Sequence, residues 1–326
     1  MVSKIEISHK TIIFTLVLLA SIWLVLQIRD ILFLVFVAFI IMSTLRPIVD
    51  WMGTKRIPRF IAALLVYIVV FGLIGFSIAG LIPSLISQTT SFSQAFPTVI
   101  ARVIPYWNID LNSFSQQLAP IGENLVKVTI GIFSNIISIL MVMVFSFYFL
   151  LERKHADKIA AGFVGEEKAT SFITVVQRIE GRLGSWMMGQ LFLMFTVGLL
   201  CYIGLLLLGV KYALPLAIIA GLLEIVPNIG PIVSAIPAML IALSISPVMA
   251  LSVGVLYLVI QQLENNVIVP LVMKRSVGLS PIITIFSLLV GGRLAGITGA
   301  VLAIPVLLII QELIIAVAGA GDKDTK

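Results

Sequence analysis

Long apolar runs separated by short polar links dominate this chain. About eight hydrophobic segments can be separated, and most are as long as the roughly 17–25 residues that a helix needs to cross a bilayer. The predicted segments are Thr11–Gln27, Ile31–Leu45, Phe60–Leu81, Ile130–Leu151, Trp186–Leu208, Ala213–Leu243, Val248–Val269 and Pro281–Ala316. The pattern predicts an all-α, polytopic helical membrane protein, with residues 1–326 forming a single integral membrane domain.

The composition points to the same class of protein. Hydrophobic residues make up 60% of the chain and charged residues 11%, whereas a soluble domain carries about 25% charged residues. The net charge of +6 is expected in a membrane protein, because Lys and Arg collect in cytoplasmic loops, and no nucleic-acid partner is predicted. With one cysteine and two histidines far apart in sequence, neither a metal site nor a cofactor is predicted.

The polar links predict how the segments are oriented. The link Ile28-Arg-Asp30 is short enough to predict a helical hairpin after an uncleaved first span. The loop Arg46–Arg59 has four basic residues and one acidic residue, which predicts that this loop and the N-terminus are cytoplasmic. Residues 152–185 are predicted to form a cytoplasmic amphipathic segment. Residues 83–127 are low in charge and contain aromatic side chains, and they predict an extracytoplasmic amphipathic segment.

An interrupted repeat occupies residues 213–305. Ile229–Pro237 and Ile297–Pro305 agree at five of nine positions, and each follows an apolar run that a proline opens, Pro215 or Pro281. Paired interrupted segments indicate a transporter binding site. If both runs fold back at their breaks, all the basic links and the C-terminus fall on the cytoplasmic side, and the copies form re-entrant hairpins from opposite faces. Ordinary kinked spans are the alternative.

Ionisable side chains inside these runs are the candidate functional groups. Glu224 lies beside the first break and Glu264 in a polar cluster, and each is costly in a membrane unless it is paired or hydrated. We predict that they handle a proton or another ion; structural pairing is the alternative. Arg293, in the second break, is expected to pair with one of them, or else to bind an anionic substrate. The candidate pathway residues are Glu224, Pro227, Asn228, Gly230, Pro231, Gln261, Glu264, Asn265, Asn266, Pro270, Gly291, Gly292, Arg293, Gly296 and Gly299.

Signatures of catalysis do not stand out in the sequence. The apolar runs lack an Asp pair, a Ser/His pair and a His cluster, and Gly165-Glu-Glu-Lys168 does not have the spacing of a nucleotide-binding phosphate loop. The sequence therefore predicts that the protein is not an enzyme and does not hydrolyse ATP itself.

Several motifs in the C-terminal third resemble those of the autoinducer-2 exporter family of membrane transport proteins. They follow one another in the expected order over about 95 residues. The motifs are Val226-Pro-Asn-Ile-Gly-Pro231, Ile236-Pro237, Gln261-x-x-Glu264-x-Asn266 with Pro270, Val272-Met-Lys-Arg-Ser-Val-Gly-Leu-Ser-Pro281, Leu289-Val-Gly-Gly292, Gly296-x-x-Gly299 and Ala303-Ile-Pro305.

The resemblance implies a protein of the bacterial cytoplasmic membrane that moves a solute without hydrolysing ATP. Cargo varies in the family: some members export a quorum-sensing furanone and others exchange sodium for protons. The chain departs from the family pattern at Ser280, where His is frequent, and at Arg293 and Ala295, where apolar or aromatic residues are more frequent. These departures argue against a His-based proton relay and alter the polarity near the second break.

These observations predict a secondary transporter or exporter of a small polar solute or signalling molecule. Its expected partners are membrane lipids, the solute, H⁺ or Na⁺ as a coupling ion, and further copies of the chain in a homo-oligomer. A membrane scaffold or permease subunit without transport activity is the main alternative, and a passive channel is a third.

Overall fold

The computed structural model describes residues 9–72, 75, 136–164, 166–227, 229–243, 245–273 and 280–321, and this part of the chain is helical almost throughout, without strands. The predicted all-α class is therefore confirmed, whereas the predicted segment 83–127 lies outside the described residues. The helices are α1 (His9–Gln27), α2 (Arg29–Thr54), α3 (Arg59–Gly72), α4 (Ile136–Val164), α5 (Glu166–Leu207), α6 (Ala213–Leu223), α7 (Ile229–Leu243), α8 (Pro247–Leu263), α9 (Val269–Met273) and α10 (Pro281–Gly321), with a π-helical turn, Glu264–Ile268, between α8 and α9.

Five helical stretches of the described chain are long and apolar enough to cross a membrane, by length and composition. They are Lys10–Gln27, Arg29–Thr54, Ala169–Leu207, Pro247–Val272 and Ile282–Ala318. Three further apolar helices, α3, α6 and α7, are shorter. The protein is thus a multi-pass helical membrane protein, and its two interrupted segments lie in the C-terminal half.

The N-terminal helix α1 differs from its predicted arrangement. The residue between α1 and α2, Ile28, accepts a backbone hydrogen bond from Leu32 and donates one to Leu24, both at 3.0 Å. The helical bonds run through the junction, so the chain does not reverse there. Residues along α1 are exposed rather than packed against α2. The predicted hairpin at Ile28-Arg-Asp30 is wrong, because a short polar link can also continue a helix.

The predicted loop at Arg46–Arg59 is also too long, because α2 continues to Thr54. Pro47 lies inside this helix and cannot bond to the carbonyl of Ser43. That carbonyl instead lies against the backbone of Gly184 in α5, where a side chain would collide with it. The proline thus leaves α2 intact and marks the place where it packs most tightly on α5.

Helix α5 ends in a tight turn and then packs against α6. Gly209 adopts a left-handed conformation (φ 68°), and the amides of Gly209 and Val210 donate to the carbonyls of Leu206 and Leu205, both at 3.0 Å. This pair of bonds is the Schellman motif that closes many helices. After the turn, α6 runs back along α5, and a methyl group on Gly221 would lie 2.7 Å from the Met194 carbonyl oxygen. Only glycine permits this approach.

Four helices, α5 to α8, share the largest apolar core of the described chain. Its fully buried members include Leu205, Ala220, Ala238, Ala242 and Val253. Small side chains at three of these five positions let the helices approach closely, which is the usual way to pack helices in a membrane. This core fixes how α6 and α7 sit between α5 and α8.

Helix α10 is a hairpin of two helical limbs. Ala295 (φ −139°, ψ 24°) and Gly296 (φ 60°, ψ −142°) are non-helical and interrupt it. A methyl group on Gly291 would lie 3.1 Å from the side chain of Ala303, although twelve residues of straight helix span about 18 Å. The chain therefore reverses at Ala295-Gly296, at the C-terminal edge of the predicted break.

The two hairpins start from opposite ends of α5. The α6–α7 hairpin follows the turn after Leu207, at the C-terminal end of α5. The second limb of α10 instead reaches the N-terminal half of α5, where Arg182 Nη1 donates to Glu312 Oε1 at 2.7 Å. The repeated sequences Ile229–Pro237 and Ile297–Pro305 each begin the second limb of a hairpin. The repeat predicted from sequence thus corresponds to two similar, oppositely directed folded units.

Ion pairs join five helices at one end of the molecule. Glu180 of α5 is 2% exposed and accepts from Arg46 of α2 and from Arg153 Nε of α4, the latter at 2.5 Å. Asp50 of α2 pairs with Arg46 and, at 3.6 Å, with Arg59 of α3. Together with the Arg182–Glu312 pair to α10, these contacts form the ion-pair end of the protein.

Removing the central carboxylate of this end should be strongly destabilising. Glu180→Leu would leave Arg46 and Arg153 without their shared partner, and breaking a buried ion pair costs about 3–5 kcal/mol. Chemical unfolding in detergent micelles would measure the loss. Asp30→Asn is the matched control, since Asp30 is exposed and pairs weakly with Arg29. Equal stability of the two variants would contradict this role for Glu180.

A side chain at the crossing point of the α10 hairpin should force its limbs apart. Gly299→Val is expected to lower the unfolding midpoint, because its side chain would overlap the backbone carbonyl of Gly291. Gly292→Ala is the control, since the nearest atom, the Ala300 methyl group, would lie at an ordinary 3.9 Å. Thermal unfolding followed by helical circular dichroism would separate the two; an unperturbed Gly299→Val variant would speak against the close crossing.

Candidate functional site

Two buried carboxyl groups meet where the first hairpin contacts the π-helical turn. Glu224 follows the last residue of α6 and is 0% exposed, and Glu264 begins the π-helical turn and is 3% exposed. Their side chains face each other closely enough for the two carboxyl groups to interact directly. Two carboxylates placed this close repel each other unless one of them carries a proton. The pair is therefore built to hold at least one proton.

The fold brings Glu224 and Glu264 to the same depth in the helix packing, although they are forty positions apart in the sequence. Helix α5 runs seventeen residues from Gln190 to its end at Leu207, about 26 Å, and α6 returns along it to Glu224. Glu264 likewise lies seventeen residues, about 26 Å, after Pro247. Ser246 caps α8 by accepting from the Met249 amide at 3.0 Å. This cap fixes the start of α8, and with it the distance along the helix to Glu264.

The π-helical turn places Glu264 and its neighbours on different sides of the helix. The Val269 amide donates to the Glu264 carbonyl, five residues back, so that the turn holds one more residue than an α-helical turn. Glu264 points into the protein, whereas Asn265 and Asn266 are exposed. Asn266 Nδ2 donates to the side chain of Gln262 at 2.8 Å. The Gln262 and Asn266 amides thus bond to each other along the helix, whereas Glu264 faces Glu224.

The broken end of α6 is tied to α5 by Gln190. This glutamine is 0% exposed, and its Nε2 donates to the backbone carbonyl of Glu224 at 2.5 Å. The carbonyls of Leu222 and Leu223 are satisfied by short-range bonds from Ile225 and Val226, at 3.2 and 3.1 Å. The helix end is therefore almost fully hydrogen-bonded without water, which an interruption inside a membrane requires.

The surroundings of the pair are apolar and, in the described part of the chain, hold no cation against it. None of the ion pairs found there involves Glu224 or Glu264. Both Glu224 oxygens and Glu264 Oε2 lack a hydrogen-bond donor among the described residues. Isolated carboxylates in such surroundings cost several kcal/mol, so the pair needs a proton or a bound cation.

Arg293 does not pair with either glutamate, contrary to expectation. It lies in the last turn of the first α10 limb and is exposed, as are Leu294 and Ile297 on either side of the break. The described residues give it no ion pair. Helix α10 packs chiefly against α5 rather than against α6 or the π-helical turn, so Arg293 is not brought to the pair.

The structure separates the predicted pathway residues into groups. Around Glu224, Gly230 and Pro231 are buried in the first turn of α7 and Pro227 is half-buried, whereas Asn228 lies outside the described residues. Beyond Glu264, Gln261 is half-buried and Pro270 exposed. Gly291, Gly292, Gly296 and Gly299 belong to the α10 hairpin, where they shape the backbone. Only Glu224 and Glu264 are brought into direct contact as charged groups.

Sequence reasoning missed Gln190 and an adjoining cavity. The cavity, about 510 Å³, lies between α2 and α5, with Thr44, Ser185, Met188 and Phe192 among its mostly apolar lining residues, and Val272 of α9 at its edge. Pockets for small molecules typically hold about 300–1,000 Å³. The sequence signal for Gln190 is a polar glutamine within the apolar stretch Trp186–Leu208. Its helical spacing to the core residues Leu193 and Val197 predicts that it faces the protein interior.

A buried carboxyl pair at a broken helix, within a multi-pass helical membrane protein, is typical of transporters. Comparison with known proteins places the chain in that class. Residues 12–319 match the family described as AI-2E family transporter, and the protein belongs to this family.

Relatives in several bacteria share most of the chain. YrrI of Bacillus subtilis (strain 168) is 27% identical over 311 residues, covering 90% of this chain and 88% of the relative. YueF of the same strain is 27% identical over 281 residues, covering 79% and 76%. YhhT of Escherichia coli (strain K12) is 25% identical over 296 residues, covering 85% and 82%. All three carry the provisional description of transport proteins, which agrees with the family.

The contact between the two carboxyl groups predicts how substitutions affect folding. Glu264→Gln should keep the free energy of unfolding within about 1 kcal/mol of wild type, because the amide can donate to the Glu224 carboxylate without a proton. Glu264→Leu should cost about 1–3 kcal/mol, because it leaves a buried carboxyl without a partner. Unfolding in detergent would measure both. Asn265→Leu, at an exposed neighbouring position, controls for the added apolar group. Equal losses in the free energy of unfolding for the two Glu264 variants would disprove the contact.

Proposed function

We propose that this protein is a secondary transporter that exports a small polar solute or signalling molecule and couples its movement to H⁺ or Na⁺ through Glu224 and Glu264. The observation that carries the proposal is the contact between these two buried carboxyl groups at the end of a broken helix. ATP hydrolysis has no part in it, since the sequence has no phosphate-binding loop.

The pair offers the chemistry that coupling needs. With one shared proton it has a net charge of −1, and with two protons it is neutral. Releasing the shared proton leaves two negative charges in contact, which is unfavourable unless a cation replaces the proton. Binding of a proton and binding of a cation are then mutually exclusive, and this competition is what links two gradients in an exchanger.

The short limbs of the hairpins support a re-entrant arrangement around this site. Helices α6 and α7 have 11 and 15 residues, about 16 and 22 Å, and the first α10 limb, Pro281–Leu294, spans about 21 Å. Each is shorter than the roughly 30 Å core of a bilayer. In our proposal the two hairpins enter the membrane from opposite faces, and their tips border the solute pathway.

We further propose that the protein lies in the bacterial cytoplasmic membrane with its ion-pair end and C-terminus on the cytoplasmic side, as the positive charge of that end favours. The prediction of a cytoplasmic N-terminus depends on the hairpin at Ile28-Arg-Asp30, which the structure does not contain. Long exposed apolar faces, such as that of α1, are proposed to contact lipid or other copies of the chain in a homo-oligomer.

Ion flux in proteoliposomes tests the proposal. Liposomes that contain purified protein and a trapped pH-sensitive dye would receive a proton jump, with and without a sodium gradient. Wild type is expected to move protons, and Glu224→Gln and Glu264→Gln should each lose most of this flux because neither amide can release a proton. Asp30→Asn, a matched substitution at an exposed acid, should retain it.

Two outcomes would contradict the proposal in different ways. Full flux in both glutamine variants would show that the carboxyl pair takes no part in coupling, although the protein would still be a coupled transporter. Absence of flux from folded wild-type protein would reject coupling to protons and sodium, and the remaining readings would be an uncoupled exporter or a scaffold.

A further inference from the structure

We infer that Gln190 is a positioning residue for the carboxyl pair: by holding the backbone carbonyl at the broken end of α6, it sets the place of Glu224 relative to Glu264. This inference rests on the proposed function of the pair. Gln190 belongs to α5 and lies in neither of the interrupted segments, so it would connect the pair to a helix that continues to the ion-pair end.

The hydrogen bond of Gln190 replaces one that the helix has lost. Helix α6 ends at Leu223, and Pro227 cannot donate a backbone hydrogen bond. The Glu224 carbonyl, just past the helix, accepts instead from Gln190 Nε2 at 2.5 Å. The residue whose carbonyl is held is the residue whose side chain meets Glu264. Movement of this backbone would move the carboxyl with it.

Close packing between α5 and α6 leaves this contact little freedom. A methyl group on Gly198 of α5 would lie 3.3 Å from the carbonyl oxygen of Ala217, and one on Gly221 of α6 would lie 2.7 Å from that of Met194. The two backbones thus touch about one and two turns beyond Gln190. Beside the short-range backbone bonds at the break, the Gln190 side chain supplies the hydrogen bond that ties this helix end to α5.

Gln190 also presents a free acceptor beside the pair. Its Oε1 is buried and has no hydrogen-bond donor in the described chain, and the same is true of both Glu224 oxygens. Among the other titratable groups of the packed elements, Cys201 of α5 interacts with both glutamates and Tyr257 of α8 contacts Cys201; both are buried.

Carbodiimide labelling provides a test that does not depend on transport. Dicyclohexylcarbodiimide modifies protonated carboxyl groups in apolar sites, and peptide mass spectrometry can follow Glu224 and Glu264 separately on the full chain in detergent. In wild type, two carboxyl groups in contact should lose reactivity in two separate steps as the pH rises. In Gln190→Met, which keeps the length but cannot donate, the steps should approach each other by about one pH unit or merge, because the groups separate.

Controls distinguish positioning from general damage. Gln262→Met removes an exposed amide that bonds only to Asn266 in the described chain, and its labelling profile should match wild type. If Gln190→Met does not fold, Gln190→Asn serves instead, since it keeps the amide but is one methylene too short to reach the carbonyl. A two-step profile that is unchanged in a folded Gln190 variant would overturn the inference and leave the pair intact. A single step in wild type would reject the coupled pair itself, and with it the proposed function.

Discussion

A helix that ends in the protein interior must satisfy its free carbonyl groups from elsewhere in the protein, and this constraint governs the C-terminal half of the molecule. At the end of α6 the short-range bonds to Leu222 and Leu223 and the amide of Gln190 satisfy it. Because the last of these comes from α5, the break can exist only where α5 and α6 lie in contact. The glycines at 198 and 221 make that contact, so the position of Glu224 depends on residues that carry no chemistry themselves.

The same constraint explains why the two copies of the repeat are folded alike but packed differently. Both Ile229–Pro237 and Ile297–Pro305 begin the second limb of a hairpin. Ile236 is 56% exposed, whereas its counterpart Ile304 is 4% exposed and packs with Trp186. A repeated sequence sets the local break and the start of the following helix, while the neighbours of each copy decide which face is buried.

Buried acidic residues occur in two different settings in this protein. At the ion-pair end, Glu180 and Glu312 are compensated by arginines and join helices into one body. At the carboxyl pair, within the described chain, Glu224 and Glu264 have only each other. Buried carboxylates that pair with arginines stabilise the structure, whereas buried carboxylates without a neighbouring cation need a proton or a bound cation. This contrast, more than the presence of acids in apolar helices, supports the pair as the proposed functional centre.

The sequence by itself determined the all-helical membrane class, the interrupted segments and the family motifs, because each depends on local composition and spacing. It also identified Glu224 and Glu264 as costly residues. Only the tertiary structure decided that they touch, that Arg293 lies apart from them, and that Gln190 holds the break, because these facts depend on which helices are neighbours. The hairpin wrongly expected at Ile28 has the same cause: a short link does not reveal whether its flanking helices will find a surface to pack on.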